Sequence, residues 1–393
     1  MANPYLKQYL MTAGPTPLPP AVSQAMAQPM LYHRAPAFVE VYSRALARLK
    51  RVFQTQNEVL VFAASGTGAL ESAVANLVRP DEPVLVASCG KFGERWAELC
   101  EAYGARTVHW ETEWGRRVEP AELDRVLGEN EAQVVFTTFS ETSTGVVNDI
   151  RQLTQVAHRH RALIAVDAVS GLGAVPLPKD EWGVDVVVGG SQKALMSPPG
   201  LAFASANQVA LGRAAAAPGR RFYFDWGRTL SGQLEDPPDS PFTPAVGLVQ
   251  ALDVALGLIE EEGLERVFER HRLLGRATRT AASALELELL GPEDDNSNVV
   301  TAIKLPEGID GARVPKLMRD QFGVTIAGGQ GRLKGKIARI AHCGYFGAFD
   351  IVVTMAAFEM TLHELGHEVE LGAGVAAAQR VFLEAGVPLA APA

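Results

Sequence analysis

Cysteine is scarce in this chain. Cys89, Cys100 and Cys343 are the only three among 393 residues, and none stands at the paired spacing of a disulfide or metal framework. A reducing, cytoplasmic setting suits such a chain. Long apolar runs are missing as well: none reaches the roughly 20 residues that span a bilayer. The opening Met1-Ala2-Asn3-Pro4-Tyr5-Leu6-Lys7 shows no basic leader followed by an apolar core, so neither secretion nor a membrane partner is expected. Positive charge is outweighed, with 36 Lys and Arg against 45 Asp and Glu and a net charge of -9. That balance repels a phosphate backbone and argues against nucleic acid as a partner. Disorder is excluded by the 47% of hydrophobic and 21% of charged residues, which suffice to bury a core. The length exceeds what one compact core accommodates, so two domains are expected.

The stretch 12–20 is dense in Pro and Gly and reads as an extended arm, assigned to residues 1–20. Helical spacing covers 38–53, and a short apolar run at 59–62 reads as a strand ending in a small-residue loop with a helix behind it. Buried strands are expected at 84–87, 134–138, 163–166 and 184–188, with helical stretches such as 94–103 between them. This alternation predicts an α/β fold with a mostly parallel, wound sheet. Around 227–244 the composition shifts to Gly, Pro, Asp and Ser, and a long helical pattern starts at Ala245. The expected division is therefore a large domain over 21–259 and a small C-terminal α+β domain over 260–393, with strand candidates at 299–304 and 336–341.

Ligands of open α/β sheets bind at the carboxyl ends of strands, so polar residues there weigh most. Behind Phe62 comes Ala64-Ser65-Gly66-Thr67-Gly68, a turn before a helix whose free N–H groups suit a phosphate. Gly-rich turns before helices are also ordinary structural devices. Asp167 closes a wholly apolar strand, where a carboxylate needs a partner: a helix cap, a cation, or a protonated pyridine nitrogen. Lys193 follows Val186-Val187-Val188-Gly189-Gly190-Ser191-Gln192 at the sheet edge. A lysine desolvated there can lose its proton and attack an aldehyde, although most lysines in such places are simply solvated.

Together, Ala13-Gly14-Pro15-Thr16-Pro17, Ser65-Gly66-Thr67-Gly68-Ala69-Leu70-Glu71, Glu141-Thr142-Ser143-Thr144-Gly145-Val146 and the segment Ser191-Gln192-Lys193-Ala194-Leu195-Met196-Ser197-Pro198-Pro199-Gly200 resemble the class V aminotransferases of PLP fold type I. The likeness is strongest to the alanine–glyoxylate and serine–glyoxylate (serine–pyruvate) enzymes and runs almost end to end. The resemblance implies pyridoxal 5′-phosphate bound as a Schiff base to Lys193, with Asp167 on the ring nitrogen. It places phosphate ligands on Ser65, Gly66, Thr67 and Gln192, with Thr243 reaching in from the second subunit of a homodimer. Ring stacking falls on Phe92, where relatives carry Trp, and the phenolic-oxygen contact falls on Thr142. Ser240 stands where some relatives place a phosphate-binding Tyr, a departure that bears on the second-subunit contact. Gly14 and Arg339 are assigned to the substrate, Arg339 because a guanidinium fork grips a carboxylate at two points. The implied reaction is ping-pong transamination between alanine or serine and glyoxylate or pyruvate.

Two other readings compete. His33-Arg34 is similar to the segment with which phosphoserine aminotransferases bind their substrate, and aspartate could use Arg34 too. His363-Glu364-Leu365-Gly366-His367 fits the zinc-peptidase pattern, but Gly366 reads as the residue past a helix end, which would put His367 out of register. No metal is therefore expected. Cysteine desulfurases share the scaffold, yet the segment around Cys343 lacks their extended cysteine loop.

Overall fold

The computed structural model describes residues 6–216 and 221–386. Seven strands form the central sheet, in the spatial order Arg106–Glu111, Pro83–Ser88, Val134–Thr138, Leu163–Asp167, Val186–Gly190, Ala202–Ala206, Val59–Phe62. Ala202–Ala206 runs antiparallel to both of its neighbours, and every other adjacent pair is parallel. Val59–Phe62 therefore points the same way as the parallel set. As a result, Phe62, Thr138, Asp167 and Gly190 all reach one edge of the sheet.

Alternate residues of each strand enter different cores. Leu85, Val135, Ile164, Val166 and Val187 pack with the helices Pro36–Val52 and Val246–Glu262. Val84, Phe136, Ala165, Val186 and Val188 pack with Gly66–Leu77 and Lys91–Ala102. Both faces of the sheet are thus covered, which is why its strands read as unbroken apolar runs. A third core gathers on the antiparallel sheet of Val300–Lys304, Ile337–Ala341 and Ala327–Gly328, in which Ile337–Ala341 is central. The helices Leu264–Ala284 and Ala348–Glu364 close over it.

The N-terminal arm is extended, and Tyr9–Leu10 pairs parallel with Val324–Thr325. It gives way to the helix Pro20–Met26 one residue earlier than expected, because Pro20 at the first helical position lacks only an N–H that would go unpaired anyway. The helix expected at 94–103 begins at Lys91, since Glu141 and Ser143 cap it from another part of the chain. The strand expected at 184–188 runs from Val186 to Gly190. Arg106–Glu111 and Ala202–Ala206 went unread as strands. The first is a half-exposed edge, and the second, Ala-Phe-Ala-Ser-Ala, has no β-branched residue. Among the described residues no helix is long and apolar enough to cross a membrane.

Candidate active site

Strand ends build the site. Behind Gly190 the chain turns sharply, with Leu201 N–H donating to Ser191 Oγ at 3.3 Å and Met196 N–H to the Lys193 carbonyl at 3.0 Å. The arm closes the turn from outside. Thr16 Oγ1 donates to the Lys193 carbonyl at 3.1 Å, and Thr16 N–H donates to the Gln192 carbonyl at 3.3 Å. Lys193 is thereby buried, with its Nζ donating to the Ala13 carbonyl. Burial pulls its pKa below the usual lysine range, helped by Arg339 and opposed by Cys343, Asp167 and Glu141. Gly14 holds its place for a steric reason. It sits at φ +125°, and a Cβ there would lie 2.5 Å from Lys193 Nζ.

Asp167 ends its strand 4% exposed and accepts from Val169 N–H at 2.8 Å. Burial pushes its carboxyl up to about 7, with Glu141 adding to the rise while the Val169 bond, Lys193 and Arg95 oppose it. A cation meeting this carboxylate would reverse the shift.

The phosphate-type cradle forms where Gly66–Leu77 starts. Ser65 Oγ accepts from Gly68 N–H at 3.4 Å, which leaves the N–H groups of Gly66 and Thr67 without an intrahelical acceptor. A Cβ on Gly190 would lie 3.1 Å from Gln192 Oε1 and 3.6 Å from Gly66 Cα, so the Gln192 amide and the helix start flank one glycine.

On the facing side, the two-residue strand Ser140–Glu141 follows Val134–Thr138. Glu141 is fully buried and accepts from Phe92 and Gly93 N–H at 3.0 Å each, and from Ser143 N–H at 3.0 Å. This carboxylate fixes the backbone of Phe92. Thr142 follows it, and its carbonyl accepts from Arg339 Nη1 at 2.7 Å. Arg339 Nε donates to the Gly328 carbonyl at 2.8 Å. Arg339 is buried, and among the described residues no carboxylate lies within ion-pair distance of it. Its remaining donors are suited to a carboxylate brought from outside.

Buried side-chain atoms without a hydrogen-bond partner at this edge include Thr142 Oγ1 and Gln192 Oε1, with Thr138 Oγ1 and Ser197 Oγ nearby in the chain. Buried polar atoms are seldom left unpaired. A pyridoxal phosphate fits this edge: the unpaired Thr142 hydroxyl for its phenolic oxygen, the N–H groups of the Gln192 amide and of the helix start for its phosphate, a carboxylate for its ring nitrogen, and a buried amine for its aldehyde.

The structure brings Gly14, Ser65, Gly66, Thr67, Phe92, Thr142, Asp167, Gln192, Lys193 and Arg339 to this edge. Thr243, His33 and Arg34 lie apart. Thr243 lines a separate cavity with Tyr42, Ala63, Tyr223 and Ser240. Arg34 pairs with Asp239 at 3.6 Å. His363 is exposed in the last turn of Ala348–Glu364, and Gly366 turns the chain out of the helix at φ +88° before His367. Sequence reading missed the roles of Ala13, Thr16 and Glu141. Glu141 opens the segment Glu141-Thr142-Ser143-Thr144-Gly145-Val146, but nothing local says that its carboxylate caps a helix 48 residues away.

Known proteins resemble this chain over nearly its whole length. The family described as aminotransferase class-V matches residues 8–339. A soluble hydrogenase small subunit of Synechococcus is 42% identical, over 96% of this chain and 98% of that one. A serine–glyoxylate aminotransferase of Methylorubrum extorquens is 36% identical over 96% of each chain. Among solved structures, the ureidoglycine–glyoxylate aminotransferase of Bacillus subtilis superposes with a TM-score of 0.92 at 31% identity, covering 98% of this chain and 99% of that one.

Proposed function

The chain belongs to the class V aminotransferase family, and on that premise we propose that it moves an amino group between alanine or serine and glyoxylate or pyruvate, with pyridoxal 5′-phosphate held at Lys193. The observation that carries this reading is the burial of Lys193 beside Asp167 and Arg339, with Arg339 held on the carbonyl of Thr142, whose hydroxyl is unpaired. When bound, the cofactor supplies an electron sink for the pair left behind as a proton leaves the substrate's α-carbon.

This chain's residues supply the rest. Ser65, Gly66, Thr67 and Gln192 hold the phosphate, Phe92 presents its ring face, and Thr142 donates to the phenolic oxygen. Asp167 stabilises a proton on the ring nitrogen. Lys193, whose pKa burial lowers, carries the proton from the α-carbon. Arg339 orients the substrate through its carboxylate. Donor and acceptor use one pocket in turn, which makes the kinetics ping-pong.

The reading includes a homodimer in which Thr243 completes the partner's site. Phe222, at 65% exposure, and Tyr223, at 42%, offer apolar surface beside that segment. It also includes the domain division near residue 260 and a cytoplasmic setting, in keeping with three buried, unpaired cysteines. Neutral donors are proposed over aspartate and phosphoserine because His33 and Arg34 lie apart from Lys193 and Arg339, with Arg34 at the surface beside Asp239.

The test is the visible spectrum of the purified protein with cofactor, before and after alanine, serine, aspartate or phosphoserine. Bleaching of the yellow band by alanine or serine is expected. Bleaching by the acidic donors alone would move the assignment to them, and failure to take up the cofactor would overturn it.

A further inference from the structure

The proposed phosphate ligands share a property: Ser65, Gly66, Thr67, Gln192 and Thr243 are all neutral. A phosphate ester carries about −1.5 to −2 charges at neutral pH, while a helix start offers roughly half a positive charge. Ser240 occupies the place where some relatives add a tyrosine, so that contact is missing too. The cradle as read from the sequence is short of positive charge.

Arg95 stands beside it. It lies one turn after Phe92 on the helix Lys91–Ala102, so the two side chains share a face. Its guanidinium carbon is 4.9 Å from the centre of the Phe92 ring, and its Nη1 donates to Thr67 Oγ1 at 3.2 Å. Two acidic residues on the same helix, Glu94 and Glu98, are engaged elsewhere. Lys91 takes Glu94 at 2.7 Å and Glu98 at 3.3 Å, and Arg332 approaches Glu94 at 3.7 Å. Among the described residues no carboxylate comes within ion-pair distance of Arg95. A half-buried guanidinium with unspent donors therefore touches a hydroxyl of the cradle.

We infer that Arg95 is a phosphate-binding residue of the cofactor site, supplying through Thr67 and its own N–H groups the charge that the neutral ligands lack. The inference rests on the reading that pyridoxal 5′-phosphate binds at Lys193. Two further features agree with it. Arg95 acts on Asp167 as a favourable charge, which places its field within the site. Glu141 also fixes the start of the helix that carries Arg95, so the guanidinium is delivered from a rigid base.

The experiment titrates the full-length protein, stripped of cofactor, with pyridoxal 5′-phosphate and separately with pyridoxal, which lacks the phosphate. Binding is followed by absorbance and by quenching of tryptophan fluorescence. Wild type, Arg95→Ala, Arg95→Lys and Thr67→Val are compared. Arg95→Ala is expected to raise the apparent Kd for the phosphorylated form roughly tenfold or more, the loss of a charge-assisted hydrogen bond, and to leave pyridoxal binding unchanged. Arg95→Lys recovers part of the affinity, and Thr67→Val shows a smaller loss with the same selectivity. Equal weakening of both ligands would overturn the inference, because Arg95 would then act through Phe92 or the fold. Unchanged binding of both would overturn it as well. A wild-type protein that binds neither form would overturn the underlying reading instead.

Discussion

Lys193 Nζ and Gly14 are in direct contact: the amine donates to the Ala13 carbonyl, and a methyl group on Gly14 would lie 2.5 Å from the nitrogen. Lysine and arm therefore occupy their places only jointly. Gly14→Ala should cost about 1–3 kcal/mol of stability, because its backbone sits at φ +125°, and should displace the amine. Absorbance after adding pyridoxal 5′-phosphate checks this. A normal yellow band formed at the wild-type rate would refute the steric argument.

Asp167 makes the cofactor-free protein pH-sensitive. Its carboxyl is raised to about 7 in the folded state, against 3.8 as the ordinary value. Between those values the native protein holds a proton that the unfolded chain releases, so stability falls as pH rises from about 4 to 7 and levels off beyond. The full effect is about 4 kcal/mol at roughly 1.4 kcal/mol per pH unit. His342, pulled down to about 3 by burial, gives the opposite slope as its unfolded form protonates. The measurement is therefore a difference: calorimetric stability of wild type minus Asp167→Asn across this window, expected to decline with pH.

Glu141 satisfies three backbone N–H groups and the Ser143 hydroxyl. Glu141→Ala leaves them buried without an acceptor, at a cost of about 3 kcal/mol or more. Glu141→Gln keeps one oxygen and should lose less. Urea unfolding ranks the two, and equal stability of wild type and the alanine variant would show that water replaces the carboxylate.

Thr142 offers the opposite sign. Its hydroxyl is buried without a partner, so Thr142→Val should leave the cofactor-free protein within about 1 kcal/mol of wild type. With cofactor the same change should shift the visible band, since the donor to the phenolic oxygen is gone. Differential scanning calorimetry and a single spectrum decide both halves.

Ser65, Asp167 and Lys193 could be read in advance because they follow strand ends, whereas Gly14, Phe92, Thr142, Gln192 and Arg339 were assigned only through the family resemblance. Val186 to Val188 are apolar on both sides, so a lysine five residues beyond them has to emerge at the sheet edge. Asp167 and Ser65 follow by the same reasoning. What stayed hidden depends on pairings distant in sequence. Glu141 meets Phe92 across 49 residues and Thr16 meets Lys193 across 177, and no periodicity encodes such contacts. Arg106–Glu111 was hidden for another reason: an edge strand needs no apolar pattern on its open side.

The arm has a mechanical consequence. At one end Tyr9 and Met11 N–H donate to the Gly323 and Thr325 carbonyls, and Ala341 N–H donates to the Met11 carbonyl, two residues beyond Arg339. At the other end Ala13 and Thr16 grip Lys193 and Gln192. Eight residues, 9–16, thus splint the strand that carries Arg339 to the turn that carries Lys193. A shift of the smaller sheet against the larger one would be carried through these bonds to the Lys193 turn, so the arm ties the position of Arg339 to that of the amine.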